Sequence, residues 1–473
     1  MFRYLAFALS LAALAPISLS SAQARDQPRT MRVDYIHTGG KGLEVFSLDR
    51  VVVEPLAFPG DLSQVRDDPT TGHYRFEVRD SDGRLLYSRG FSSIFAEWLW
   101  TSEAEESHRS FHESLRFPLP VSPVDVSVHR RNEKQGFDEV WKIRVDPSGM
   151  FVDASVPAAQ ELLAIEENGD PRSKVDLLLI GDGYTASECK TKFLEQARNL
   201  TEALFKKEPF LARRPDFNVW GLCPPSADSG IARPSTGTHR RTPVGATYDV
   251  FGSERYILTF DNKALREVAS QAPYEFLIIL ANNDTYGGGG IHNAMSTVAA
   301  GSEWAEYIFI HELGHHFAAL ADEYYTSPVA YEPATNIVEP WEPNVTALQD
   351  PERLKWRGLA DAGTPLPTPW PKQEFEQRQR AFQQTRKEIR AANRPEAEMN
   401  ALFREEQSFT TQLLGAAAHA GRVGAFQGAN YDAQAFYRPQ LDCVMFTRDE
   451  VPFCKVCQLA LERVIDTYTR TAE

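Results

Sequence analysis

Within Trp304 to Tyr325, WAEYIFIHELGHHFAALADEYY, the residues able to do chemistry are His311, Glu312 and His315. The two histidines are four residues apart, so on an α-helix their imidazoles project from one face, a turn apart, and can reach one metal ion. Glu312 follows the first histidine by one residue, about 100° round the helix, off the metal and beside a metal-bound water. That position suits a general base. Leu313 and Gly314 are uncharged, no proline interrupts the run, and Ile308, Phe309, Ile310, Leu313 and Phe317 can bury the helix. The chemistry indicated is hydrolysis assisted by zinc; the alternative is two histidines paired on a buried helix with no metal.

A catalytic zinc needs a third protein ligand and an open position for water. Asp322 is the leading candidate, with Glu323 the other. On a straight helix Asp322 would lie about 10 Å beyond His315 along the axis, too far to share an ion. The chain must therefore break between Phe317 and Ala321 and fold back, although that run has no glycine to make a left-handed turn easy. Both acids could instead pair with a cation at the helix end. His316 lies off the metal face, as packing or surface, and His292, alone in a loop, is a weaker ligand candidate. Tyr437 and Tyr431 are candidates for hydrogen bonding to an oxyanion, and Arg438 for orienting substrate or Asp322.

The elements that must position these residues follow from pattern. Lys174–Gly181 is a continuous apolar run bounded by glycine, as in a strand buried on both faces. Thr185 and Glu188 form a capping box opening a helix to about Phe205, and Asp182 is placed to order that turn. Asn218–Leu222 and Glu275–Ala281 are further strands. Gly287 to Val298 reads as a glycine-rich rim in which MSTVA is an edge strand able to hold an extended peptide. Ahead of this, six alternating or β-branched runs between Met31 and about Met150 predict a β-sandwich. Its aromatic stretch, Phe91 to Trp100, either contacts substrate or packs in a core. Residues 153–170 read as a linker or first helix, 372–414 as a helical hairpin inserted over the core, and Phe453–Arg470 as a closing amphipathic helix. The fold class is α+β.

HELGHHFAALADEYY, together with DGYTASE, FNVWGL, VGAFQGANY and FYRPQLDCVMF in that chain neighbourhood, resembles the M64 family of metallopeptidases, the IgA peptidase family. The resemblance runs from about Lys174 to the C-terminus. It implies a zinc-dependent endopeptidase domain related to metzincins, with a third acidic ligand after the histidine helix and a methionine-containing turn beneath the metal, here Met445. It also implies an N-terminal β domain of the size seen. In metzincins the third ligand follows the second histidine by six residues, after a glycine; here Asp322 follows by seven and Ala318 stands in place of the glycine.

Composition bounds the remaining readings. Residues 1–24 have a short apolar core and end in Ala22-Gln23-Ala24, which reads as a secretory signal peptide and directs the chain to the periplasm or outside. The division expected is 1–24 signal peptide, 25–150 β-sandwich and 151–473 zinc peptidase. A formal net charge of −15 argues against nucleic acid or anionic membrane as partner, and no second run long enough to span a membrane appears, leaving a protein or peptide substrate. Of five cysteines, Cys443, Cys454 and Cys457 are close enough to hold one disulfide, and Cys189 or Cys223 could join another. Cys454-Lys455-Val456-Cys457 also has redox or metal spacing; a structural disulfide is the expectation. A different functional class, a non-catalytic surface or glycan-binding protein on a peptidase-like scaffold, would have no need to keep Glu312.

Overall fold

The computed structural model describes residues 27–327 and 337–469; the signal peptide expected at residues 1–24 lies outside them. The chain begins with β1 (Arg29–Gly40), β2 (Leu43–Ala57), β3 (Tyr74–Arg79), β4 (Leu85–Phe91), the short helix α1 (Ile94–Trp98), β5 (Arg109–Pro118), β6 (Val124–Arg131), β7 (Phe137–Val145) and β8 (Val152–Asp153). They form two four-stranded sheets, ordered β5-β1-β2-β8 and β4-β3-β6-β7. Met31, Val33 and Tyr35 of β1 meet Phe76 and Val78 of β3 and Val126 and Val128 of β6 in one core. Two sheets sharing inward faces make a sandwich, as the alternating runs require. Sequence pattern missed β5, because Glu113 occupies an inward position among Phe111, Leu115 and Phe117. It is tolerated there because Tyr35 and Ser93 donate hydroxyl hydrogen bonds to it, at 2.9 and 2.6 Å.

The second part contains β9 (Leu163–Glu166), β10 (Val175–Asp182), α2 (Ala186–Glu188), α3 (Leu194–Leu204), β11 (Phe217–Leu222), β12 (Ala246–Thr247), β13 (Leu258–Thr259), α4 (Asn262–Ala269), β14 (Phe276–Ala281), β15 (Gly288–Ile291), β16 (Met295–Ala299) and α5 (Ala305–Ala318). There follow α6 (Lys372–Ala391), α7 (Glu396–Gly415), β17 (Phe426–Ala429), β18 (Asp432–Arg438) and α8 (Lys455–Thr469). The main sheet is six-stranded, ordered β15-β16-β14-β10-β11-β9. Its four inner strands run parallel, while the two edges, β15 and β9, are antiparallel to their neighbours. Every residue of β10 is buried: Leu177 and Leu179 pack with α3, α5 and α8, whereas Leu178 and Ile180 pack with α4 on the other face. A continuous apolar run is what a strand covered on both sides needs.

Two expectations change. The segment expected as a linker or helix before Lys174 contains the edge strand β9, paired with β11. MSTVA, expected at the edge, is β16 and lies inside the sheet; the edge is the glycine run β15. Those glycines reflect contact rather than looseness. A β-carbon on Gly290 would sit 2.4 Å from the Glu312 carbonyl oxygen and 2.9 Å from His315 Cβ, and one on Gly288 2.5 Å from Ile308 Cγ2. The edge strand lies with its backbone directly on α5.

Helix α5 has no side-chain cap at its start and a glycine inside. Its stability comes from packing: Ile308, Phe309, Leu313 and Phe317 are all fully buried, each contributing up to about 1.5–3 kcal/mol against about 1 kcal/mol lost at Gly314.

Candidate metal centre

The histidine helix ends where a fold-back of the chain toward the histidines requires it. Ala319 takes a left-handed conformation, φ 55° and ψ 33°, and the Leu320 N–H donates to the Gly314 carbonyl, six residues back, at 3.3 Å. That bond is the signature of a Schellman stop, normally made by glycine. An alanine there costs roughly 1 kcal/mol. Two anchors hold it: Asn344, fully buried, accepts from the Ala321 N–H at 2.8 Å and donates to the Ala321 carbonyl at 2.9 Å, and the Glu323 N–H donates to the Met445 carbonyl at 2.9 Å. The chain turns back over the helix, with Asp322 facing the histidines.

Three donor atoms converge as a result. Asp322 Oδ1 lies 2.9 Å from His311 Nε2 and 3.3 Å from His315 Nε2, and the two Nε2 atoms are 3.2 Å apart. A tetrahedral zinc with about 2.0–2.1 Å bonds spaces such donors at about 3.4 Å. The other ring nitrogens fix the tautomers: His311 Nδ1 donates to the Val444 carbonyl at 2.9 Å, and His315 Nδ1 to the Leu320 carbonyl at 2.5 Å. With both protons committed to Nδ1, two Nε2 lone pairs and a carboxylate point at one spot. Such a set calls for a cation at its centre, and His311, His315 and Asp322 fit a metal ion by donor type and spacing.

Charge follows the same geometry. Burial works against ionising Asp322, but the imidazoles of His315 and His311 outweigh it and hold its carboxyl well below the usual range. Burial lowers His315 while Asp322 raises it more, to about 9; a metal ion held there would have to displace that proton. Burial pushes Glu312 up, with His311, His315 and Arg255 pulling it partly back. Glu312 projects beside the donors into a cleft of about 550 Å³ that also exposes His315, Asp322, Arg255, Tyr431 and Trp341.

Not every expected residue arrives. Tyr437 is outside the cleft: β18 pairs it through its backbone with Thr346 and Gln427, and strand alternation turns it away from its neighbour Phe436, which lines the cleft. Tyr431 takes the place instead, its hydroxyl donating to Asp322 Oδ2. Asn430 and Tyr431 both have positive φ, 49° and 64°, as the two central residues of a tight β17–β18 hairpin demand. Its tip is stitched to the fold-back segment by Asn430 N–H to the Asp322 carbonyl, 2.9 Å, and Tyr431 N–H to the Tyr324 carbonyl, 3.2 Å. Arg438 is fully buried, stacked on Phe446 and donating to the Gly428 carbonyl at 2.8 Å. The cation in the cleft is Arg255, which donates to the Tyr324 hydroxyl at 3.1 Å and which no sequence pattern marks. Glu323 points away from the site. His292 lines the cleft but its Nδ1 meets the His316 carbonyl at 3.3 Å, away from the donor set. His316 is packing: Nδ1 donates to the Ile291 carbonyl at 3.0 Å and Nε2 accepts from the Leu277 N–H at 3.1 Å. Asp182 holds the segment 242–246 through Thr242 and Ala246, at 2.7 and 2.8 Å, and also takes a backbone hydrogen bond from Gly183 in the turn after its own strand.

Met445 completes the floor. Its sulfur would come within 2.8 Å of a β-carbon on Gly314, so the glycine between the histidines is what lets the thioether approach the helix from below. Over this site the family model described as IgA Peptidase M64 matches residues 163–465, and one described as Peptidase M64 N-terminus matches residues 23–142. The chain belongs to the IgA peptidase M64 family. No curated protein matches it. M64 peptidases are metallopeptidases; the family supports a peptidase with a protein substrate, and His311, His315 and Asp322 are a possible metal-binding group. Among the described residues no helix is long and apolar enough to cross a membrane.

The cysteine expectation is corrected here. Cys189 and Cys223 form a disulfide, whereas Cys443, Cys454 and Cys457 are unbridged and buried. Cys454 and Cys457 stand at the start of α8 with Cys443 and Glu323 closing over them, so the pair faces a third thiol and a carboxylate instead of each other alone.

Proposed function

We propose that this M64 chain is a zinc-dependent endopeptidase, exported by the signal sequence at residues 1–24 to act in the periplasm or outside the cell. The observation that carries the reading is the convergence of His311, His315 and Asp322 to within 2.9–3.3 Å in the wall of a cleft that also holds Glu312. His311, His315 and Asp322 would hold the ion, which when bound supplies Lewis acidity toward water and the scissile carbonyl.

The remaining work belongs to side chains of this chain. Glu312, raised by burial, takes the proton of the attacking water and passes it to the leaving amine, a carboxyl tuned toward neutral pH being suited to both transfers. Tyr431 anchors the free oxygen of Asp322 and keeps that carboxylate aimed. Arg255 faces the carbonyl oxygen or a substrate carboxylate with a fixed positive charge. The outward backbone groups of Gly288 already bond to Arg255 and Ile257, at 3.0 and 3.1 Å, so an extended substrate would add along β15 beyond Gly288. The opposite wall comes from the sandwich, through His73, Glu97 and Trp100.

The test is digestion of an unstructured protein by the purified chain, with the products sequenced. Internal cleavage that a chelator abolishes and zinc restores supports the reading; cleavage indifferent to the chelator, or none under any metal, refutes it.

A further inference from the structure

Behind the proposed catalytic site lies a second convergence of donors that the peptidase chemistry does not use. Glu323, Cys443, Cys454 and Cys457 are fully buried, and one donor atom from each lies within 4.8 Å of all the others. Glu323 Oε1 is 3.4 Å from Cys457 Sγ and 3.8 Å from Cys454 Sγ, and Cys443 Sγ is 4.0 Å from Cys457 Sγ. Zinc–sulfur bonds of about 2.3 Å and zinc–oxygen bonds of about 2.1 Å set tetrahedral edges near 3.8 Å between sulfurs and about 3.6 Å from sulfur to oxygen. Those three distances are close to these edges, and the other donor pairs of the four lie within 4.8 Å.

We propose that Glu323, Cys443, Cys454 and Cys457 bind a second, structural zinc ion in a closed Cys₃Glu site.

Three independent features support it. Glu323 Oε2 is buried with no hydrogen-bond partner among the described residues, a costly state for a carboxylate oxygen even with the Arg438 charge acting on it. The backbone is arranged for sulfur anions: the Cys454 and Met445 N–H groups point at Cys443 Sγ, at 3.2 and 3.5 Å, and the Cys457 N–H at Cys454 Sγ, at 3.4 Å. Such amide bonds, with the start of the fifteen-residue α8 below Cys454 and Cys457, favour thiolate over thiol. The same chain carries a Cys189–Cys223 disulfide, so in the compartment that forms it three clustered thiols would oxidise unless an ion held them. Four thiol and carboxylate donors with no opening to the cleft make a structural site rather than a catalytic one.

The position explains a purpose. Asp322 and Glu323 are consecutive and face opposite ways, one to the histidines and one to the sulfurs. Cys443 is next to Val444, whose carbonyl orients His311, and two residues before Met445. One ion would tie together the fold-back segment, the methionine turn and α8. It would fix the third catalytic ligand where the helix stop at Ala319 is strained.

Zinc counting on the full-length chain purified without chelator tests this separately from the catalytic reading. Two equivalents per chain are expected, one surviving in the His311→Ala/His315→Ala chain and one in the Cys454→Ser/Cys457→Ser chain. Should the serine chain fail to accumulate, the histidine double variant loaded with cobalt should show an intense thiolate-to-cobalt charge-transfer band. A histidine double variant holding no zinc and giving no such band, or a Cys454–Cys457 disulfide in a non-reduced peptide map of the native chain, would overturn the proposal while leaving the histidine site untouched.

Discussion

The donor triad depends on hydrogen bonds one layer out. Each imidazole gives its Nδ1 proton to a carbonyl, Val444 or Leu320, and Asp322 takes the Tyr431 hydroxyl on the oxygen that faces away from His311. Replacing Tyr431 with phenylalanine should lower kcat/KM or metal affinity by about 10–100-fold, the usual cost of losing such a partner, with the thermal transition little changed. Tyr437→Phe should stay within about twofold, since a surface hydroxyl away from the site contributes little. Steady-state kinetics of both variants decide between the two tyrosines. The histidine pair and Glu312 were legible because helix periodicity alone fixes their relative directions. The tyrosine was not: Tyr431 reaches Asp322 through a hairpin more than a hundred residues further on, and only pairing partners, invisible in one strand's pattern, tell it from Tyr437.

Two elements hold the site under constraint. The edge strand β15 rests on α5 without side chains, and Gly290→Ala would push a methyl against the Glu312 carbonyl and His315. A loss of about 1–3 kcal/mol in denaturant unfolding is expected, as for overpacking elsewhere, together with reduced activity. The helix stop works the other way. Ala319→Gly should stabilise the chain by up to about 1 kcal/mol, because glycine accepts the left-handed conformation that alanine resists; the unfolding midpoint measures it. His316 ties α5 to β14 and β15 as a neutral ring, its pKa pushed down to about 3 by burial. A base whose folded pKa lies below its unfolded value contributes full stability above about pH 6.5 and loses it as pH falls. At pH 5 the loss from this ring is about 2 kcal/mol. The stability of His316→Gln should therefore fall less steeply between pH 7 and pH 5 than that of the native chain, although it starts lower. Sequence pattern found the inner strands β10, β11 and β14, the capping box at Thr185 and the glycine rim. It placed the edge on MSTVA because apolar β-branched residues suggest a strand more strongly than glycines do, and sheet order decides which one is outermost.

At the scale of the whole molecule the sandwich is part of the cleft. Trp100 is about half exposed, at 49%, and lines the opening, while Phe95 and Trp98 of the same stretch are wholly buried; the stretch is divided between the cleft opening and a core. The two parts are joined near the rim, where the Ser92 N–H donates to the His292 carbonyl at 2.9 Å and Asn293 Nδ2 to the Gly90 carbonyl at 2.6 Å. Trp100→Ala should raise KM several-fold with kcat unchanged, the mark of lost ground-state binding, when measured on a long peptide; a fall in kcat alone would remove the sandwich from substrate contact. The measurement that bears most directly on the metal centre is zinc content beside turnover in Glu312→Gln. Removal of the proton carrier should leave the native metal content in place and cut turnover by about 10²–10⁴-fold. A Glu312→Gln chain that cleaves at the native rate would contradict the assignment of Glu312.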